Sequence, residues 1–230
     1  MTLARLYLPD RKILALALAK QVADDLSETL EGQGRASLVV PGGTTPGAFL
    51  AALGEAALDW SRVTVTLSDE RWVPPGHERS NERALRDSLM VGIGSAARFV
   101  PLYREGLSPE AALSAIEADL RPALPLSVCI LGMGADGHTA SLFADADGLD
   151  AALDLEGDAL ALPIRRADLP EPRLTLTAGA LTGAVHSYLL ITGEDKRAAL
   201  DAALASEVAE APPIRTILER LNGVRIYWAP

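Results

Sequence analysis

Two rhythms of hydrophobic and polar positions alternate along the chain. Short apolar runs read as strands at residues 4–8, 37–40, 62–67, 127–131, 160–164, 174–177, 188–192 and 224–228. Between them, apolar residues recur at helical spacing over 10–30, 46–53, 81–91, 109–120, 196–205 and 214–222. Punctuation supports these limits. Gly32 and Gly34 stop the first helix, Thr45 is placed to cap the second with Pro46 in its first turn, and Ser108 caps the fourth. Strand and helix in alternation predict an α/β protein, a mainly parallel sheet with helices on both faces. No repeat, low-complexity tract or linker interrupts the pattern, so residues 1–230 read as one domain, with the Asp- and Gly-rich segment 145–157 as a surface excursion.

Composition narrows the partners. No stretch of about eighteen apolar residues occurs, which predicts no membrane span. Arg5, Asp10, Arg11 and Lys12 break up the start of the chain, which lacks the order of a secretory signal and predicts a cytoplasmic protein. The single cysteine, Cys129, excludes an intramolecular disulfide and a multi-thiolate zinc site, and its apolar neighbours make it a core residue. A net charge of −10 argues against nucleic acid as partner. It also means that an anionic ligand would be repelled on average, so the cations beside loops matter most.

In open parallel sheets, ligands sit beyond the carboxyl ends of the strands. Four segments with unusual chemistry follow strands: 41–46, 68–72, 132–138 and 193–196. Gly42-Gly43-Thr44-Thr45 precedes a helix, so backbone and hydroxyl donors can approach an anion there, although a tight turn has the same spelling. The Gly-Lys-Ser/Thr element of a Walker loop is absent. Asp69-Glu70-Arg71 reads either as a solvated turn with an ion pair or as a site in which Arg71 takes a phosphate and Asp69 faces a substrate hydroxyl or water. Glu70, on the other side of an extended chain, serves structure.

Gly132–His138 matches GxGxxG literally, but a dinucleotide fingerprint should open a full crossover helix, and here barely two turns separate His138 from Asp145. What remains is Asp136-Gly137-His138 at a strand end. An imidazole there can move protons near neutrality, with Asp136 fixing its tautomer. Lys196 opens a helix where it can reach an anion or pair with a neighbouring carboxylate; Arg173 and Asn81 are further substrate-site candidates. His77 lies in a solvent-facing loop and His186 begins an apolar strand. With so few grouped ligands, no catalytic metal is expected.

Taken together these segments resemble the 6-phosphogluconolactonase family. The matching pieces are Pro-Gly-Gly-Thr-Thr-Pro (41–46), Ser-Asp-Glu-Arg-Trp-Val-Pro (68–74), Ser-Asn (80–81), Leu-Gly-Met-Gly-Ala-Asp-Gly-His-Thr-Ala-Ser-Leu-Phe (131–143), Pro-Arg-Leu-Thr-Leu-Thr (172–177) and Gly-Glu-Asp-Lys (193–196). The resemblance implies a Rossmann-like fold shared with glucosamine-6-phosphate deaminases and ribose-5-phosphate isomerases. It implies cofactor-free hydrolysis of 6-phospho-D-glucono-1,5-lactone, with His138 as base, Arg71 and Lys196 on the phosphate, and Gly42, Gly43, Thr44 and Thr45 adding donors. The chain departs from the family pattern at Ala144 and Ala229. The expected partner is a small sugar phosphate, with no nucleic acid or membrane, and the protein a monomer or homodimer. Two rivals remain: a deaminase or isomerase, which would need a carboxylate after His138 that residues 139–143 do not supply, and a non-catalytic sugar-phosphate sensor.

Overall fold

The computed structural model describes residues 3–207, 211–221 and 223–230. In chain order its strands are β1 (Leu3–Tyr7), β2 (Ala36–Val40), β3 (Val63–Leu67), β4 (Asp69–Arg71), β5 (Arg98–Val100), β6 (Val128–Leu131), β7 (Ala161–Ile164), β8 (Arg173–Leu176), β9 (His186–Thr192) and β10 (Val224–Ala229). Its helices are α1 (Arg11–Gln33), α2 (Gly47–Gly54), α3 (Asn81–Arg86), α4 (Pro109–Leu120), α5 (Leu149–Leu153), α6 (Ala178–Thr182), α7 (Glu194–Ala205) and α8 (Pro213–Arg220).

Seven strands form a wholly parallel sheet in the order β1-β10-β9-β6-β2-β3-β5. The chain builds outward from β2 through β3 to β5, then returns to lay β6, β9 and β10 on the other side. Its direction of travel therefore reverses between β2 and β6, the place where such sheets open a crevice. β2 and β6 are buried at every position, which explains their uninterrupted apolar spelling. Along α1, Leu14, Leu18, Val22 and Leu26 recur every fourth residue on the buried face, each burial stabilising by about 1.5–3 kcal/mol. Asp10 Oδ1 accepts from Ile13 N at 2.7 Å to start that helix. Gly34, at φ 75°, ends it by donating to Leu30 O. Ser108 Oγ caps α4 by accepting from Ala111 N. Cys129 is buried, which pushes its thiol up to about 12.

The two runs expected at 160–164 and 174–177 do not join the parallel sheet. They form β7 and β8 of a separate antiparallel sheet, in the order β4-β8-β7. Ser68 is the pivot between sheets: its N donates to Val40 O in the large one, and its O accepts from Leu176 N in the small one, both at 2.9 Å. The helix expected over 81–91 stops at Arg86, because the amides of Ser88, Leu89 and Met90 all fold back on the Leu85 carbonyl. Thr45 does not cap α2; Pro46 holds that position and no side chain caps the helix. The short edge strand β5 was not expected from the sequence, and the segment 145–157 contains α5. Asn222, expected to end the last helix, lies outside the described residues; α8 ends at Arg220. Among the described residues no helix is long and apolar enough to cross a membrane.

Candidate active site

The segments that follow β2, β3, β6 and β9 meet at the carboxyl edge of the sheet around a cleft of about 470 Å³. Gly42, Gly43, Thr44, Thr45, Asp69, Arg71, Asn81, Asp136, His138, Arg173 and Lys196 all line it. Met133, Phe143, Arg166 and Leu169 line it too; the first two fall within the 131–143 motif, whereas nothing in the sequence marked Arg166 or Leu169.

One wall comes from the glycine loop and β4. Gly42 packs so closely on Asn81 that a Cβ would lie 2.0 Å from the amide carbon, so only glycine fits. Asn81 is itself buried and donates from Nδ2 to Asp69 O at 2.9 Å, so it braces the wall. Gly43 takes a φ of 88°, which favours glycine. Thr45, released from capping, lines the cleft. Successive side chains of β4 point to opposite sides. Asp69 and Arg71 therefore reach the cleft, while Glu70 turns inward and holds the start of α3. Its Oε1 accepts from Arg71 N and Asn81 N and its Oε2 from Glu82 N, each at 2.7 Å, with Ser80 Oγ at 3.1 Å. Burial pushes the Glu70 carboxyl up, against the pull of those donors. Asp69 is buried as well. Its Oδ1 accepts from Ser68 Oγ at 3.0 Å and its Oδ2 from Ser141 Oγ at 2.6 Å, a role for Ser141 that the 131–143 motif does not itself assign.

Cations crowd one end. Arg71 and Arg173 are direct partners across the β4–β8 pair. Arg71 donates from Nη1 to Arg79 O at 2.5 Å, and Arg79 grips Glu171 at 2.6 Å. Arg173 is 8% exposed and reaches Glu171 only at 3.7 Å. The buried Nε atoms of Arg71 and Arg173 have no hydrogen-bond partner among the described residues. Burial, and then the charge of Arg71, lower the pKa of Arg173. Two adjacent guanidiniums with unused donors make a seat for a multiply charged oxyanion. Lys196, in the first turn of α7, donates from Nζ to Met133 O at 3.1 Å and has two further donors.

The opposite wall is the loop from Gly132 to His138. It is closed by Gly134 N donating to His138 O at 2.8 Å and Gly137 N to Gly134 O at 3.1 Å. Those two amides are thereby spent on holding the loop closed. Gly137, at φ 76°, packs against Pro212, where a Cβ would come within 2.6 Å. His138 Nδ1 lies 2.5 Å from Asp136 Oδ1. A carboxylate only accepts, so the proton of a neutral imidazole sits on Nδ1 and Nε2 is left as the acceptor. Burial raises the Asp136 carboxyl, but the hydrogen bond and charge of His138 outweigh it and hold it below the usual range. The imidazole also rests against Phe143, ring centroids 4.3 Å apart. His77 is exposed and its Nδ1 accepts from Arg79 N, while His186 is half-buried at the start of β9, 3.8 Å from Asp25. Among the described residues no group of three or more His, Cys, Asp or Glu is placed to hold a metal ion.

A family model described as glucosamine-6-phosphate isomerases/6-phosphogluconolactonase matches residues 9–228. The chain belongs to this family. Within it, a relative from Mesorhizobium japonicum named 6-phosphogluconolactonase is 46% identical over 96% of this chain and 93% of its own. One of the same name from Pseudomonas aeruginosa is 45% identical over 94% of this chain and 90% of its own. Among solved family structures, a 6-phosphogluconolactonase from Shewanella baltica superposes with a TM-score of 0.94 at 34% identity, covering 100% of this chain and 98% of that one. A monomeric glucosamine-6-phosphate deaminase matches with a TM-score of 0.80 at 17% identity, a likeness of fold alone.

Proposed function

We propose that this cleft hydrolyses 6-phospho-D-glucono-1,5-lactone to 6-phospho-D-gluconate, the lactone-opening step of the oxidative pentose phosphate pathway. The observation that carries the reading is the His138–Asp136 pair, held at 2.5 Å on one wall of a cleft whose other end is lined by Arg71 and Arg173. The close relatives named 6-phosphogluconolactonase support the same reaction.

Arg71, Arg173 and Lys196 seat the phosphate, and the glycine loop with the uncapped start of α2 adds donors. Anchoring that end positions the lactone carbonyl near His138 and replaces a bimolecular encounter with a held geometry. Nε2 of His138 takes a proton from water as the water oxygen bonds to C1. The resulting tetrahedral intermediate collapses by breaking the bond from C1 to the ring oxygen, and the imidazolium returns its proton to that oxygen. Asp136 holds the tautomer and balances the transient imidazolium. Asp69, fixed by two serine hydroxyls, faces a substrate hydroxyl or water.

Acid release from freshly prepared 6-phosphogluconolactone, corrected for spontaneous opening, tests the reading. His138→Ala should lose about 10²–10⁴-fold of the enzymatic rate. Unphosphorylated gluconolactone should bind far more weakly. Near-normal turnover by the alanine variant refutes the base, and ammonia release from glucosamine 6-phosphate would replace the reaction itself.

A further inference from the structure

Arg166 lies on the polar loop between β7 and β8. Its guanidinium is 3.7 Å from Asp136 Oδ2, the oxygen not engaged by His138. It also sits over the Phe143 ring, 4.5 Å from the centroid, and that ring backs the His138 imidazole. Arg166 thus touches both groups that touch the imidazole. It is itself held by Asp168, whose two oxygens accept from Nε at 2.5 Å and Nη2 at 2.8 Å.

The electrostatic sense of this arrangement follows from Coulomb's law. A carboxylate beside an imidazole favours the imidazolium. A cation on the carboxylate's second oxygen draws on the same charge and opposes the imidazolium, most strongly where water is partly excluded. We propose that Arg166 is a positioning residue for the base: through Asp136 and Phe143 it biases His138 toward its neutral form and fixes the plane of the ring. Asp168 sets how much of that cationic charge is felt. The inference rests on the reading of His138 as the base.

The charged groups facing His138 come from several elements. Asp136 lies on its own loop, Arg166 and Asp168 on the β7–β8 loop, and Lys196 on α7. Across the cleft stand Asp69 and the Arg71–Arg173 pair. Among the described residues, the chain entering α8 meets the loop at Pro212 and Ile214, which carry no charge. Of these, Arg166 and Asp168 alone are joined to the imidazole through Asp136 without belonging to the phosphate seat, so they can be altered separately from substrate anchoring.

The test is an NMR titration of the His138 ring in the full chain, alongside the acid limb of kcat/KM. The chain has 3 histidines, so His138→Gln assigns the signal. Arg166→Met should raise the imidazole titration midpoint by about half a pH unit and carry the acid limb with it. Asp168→Asn, which leaves the guanidinium uncompensated, should move both the other way. Arg166→Lys, which keeps the charge, should stay closer to the native midpoint than methionine does. An unmoved midpoint in Arg166→Met overturns the proposal, as do shifts of the same sign in the methionine and asparagine variants. A rise in KM with no shift in either profile makes Arg166 a substrate ligand instead. The ring titration is read without turnover, so it stands or falls apart from the assignment of the reaction.

Discussion

Replacing Gly134 by alanine separates the placement of the base from its chemistry, because it removes no group that moves a proton. The new Cβ would lie 2.1 Å from His138 Nδ1, 2.2 Å from Cε1 and 2.4 Å from Asp136 Oδ1. Gly134 is not among the glycines at positive φ, so its backbone accepts alanine and the whole conflict falls on the side-chain pair. Contacts of this kind essentially never fall below 3.0 Å, so the imidazole must retreat by roughly 1 Å. Its side chain is 31% exposed, which gives it room to swing toward solvent and spares the fold. A misplacement of that size costs about a hundredfold in rate, close to 2.7 kcal/mol of barrier. Arg71 and Arg173 of the proposed phosphate seat lie on β4 and β8, away from this loop, and Lys196 meets it through the Met133 carbonyl, not through a side chain that must move. We expect kcat to fall about 100-fold while the Kd for 6-phosphogluconate, measured by calorimetry, changes by less than about threefold. A variant with native kcat refutes the reasoning, as does one that loses binding and turnover in equal measure.

Two further outcomes follow from the buried charges. Arg173→Met should raise KM for the phosphorylated lactone by about 10–100-fold, the loss of a charge-assisted hydrogen bond, without lowering Tm, since it removes a cation disfavoured by burial and by Arg71; a drop in Tm with unchanged KM contradicts this. Glu70→Ala should cost about 1–3 kcal/mol in denaturant unfolding, because the four donors that meet this carboxyl group lose their acceptor. Burial raises the folded-state pKa of Glu70, so the native state binds its proton more tightly than the unfolded chain does. Its contribution is therefore fullest at and below the ordinary glutamate range and declines as pH rises through the raised value. The stability gap between native protein and variant should narrow over that window, and a gap that widens with pH refutes the sign.

The inner strands β2, β6 and β9 of the large sheet were legible because they are buried on both faces, and helices α1 and α4 because they carry their own caps, Asp10 and Ser108. The small sheet was not. Asp69-Glu70-Arg71 is a polar tripeptide with no strand-forming spelling, and it becomes a strand only because Arg173–Leu176 pairs with it from about a hundred residues away. The glycine loops and the Asp136–His138 element announced themselves through residue types that ordinary structure rarely gathers at strand ends. Arg166 did not, since it is a surface-type arginine in a polar loop, and Ser141, though inside the 131–143 motif, is a small residue whose chemistry the motif does not reveal; only three-dimensional contact gives either a role. The early end of α3 escaped notice for a similar reason: the apolar spacing continues past Arg86 through Leu89, but the backbone closes on Leu85.

The three residues of β4 carry a broader consequence. Asp69 and Arg71 look into the cleft while the residue between them is a nail driven the other way, through the start of α3. A lesion at Glu70 would loosen two ligand-facing groups at once although it contacts no ligand. Sequence variation at this position should accordingly be as restricted as at its neighbours, and inactive variants found there should be counted with the chemistry, not dismissed as distant packing defects.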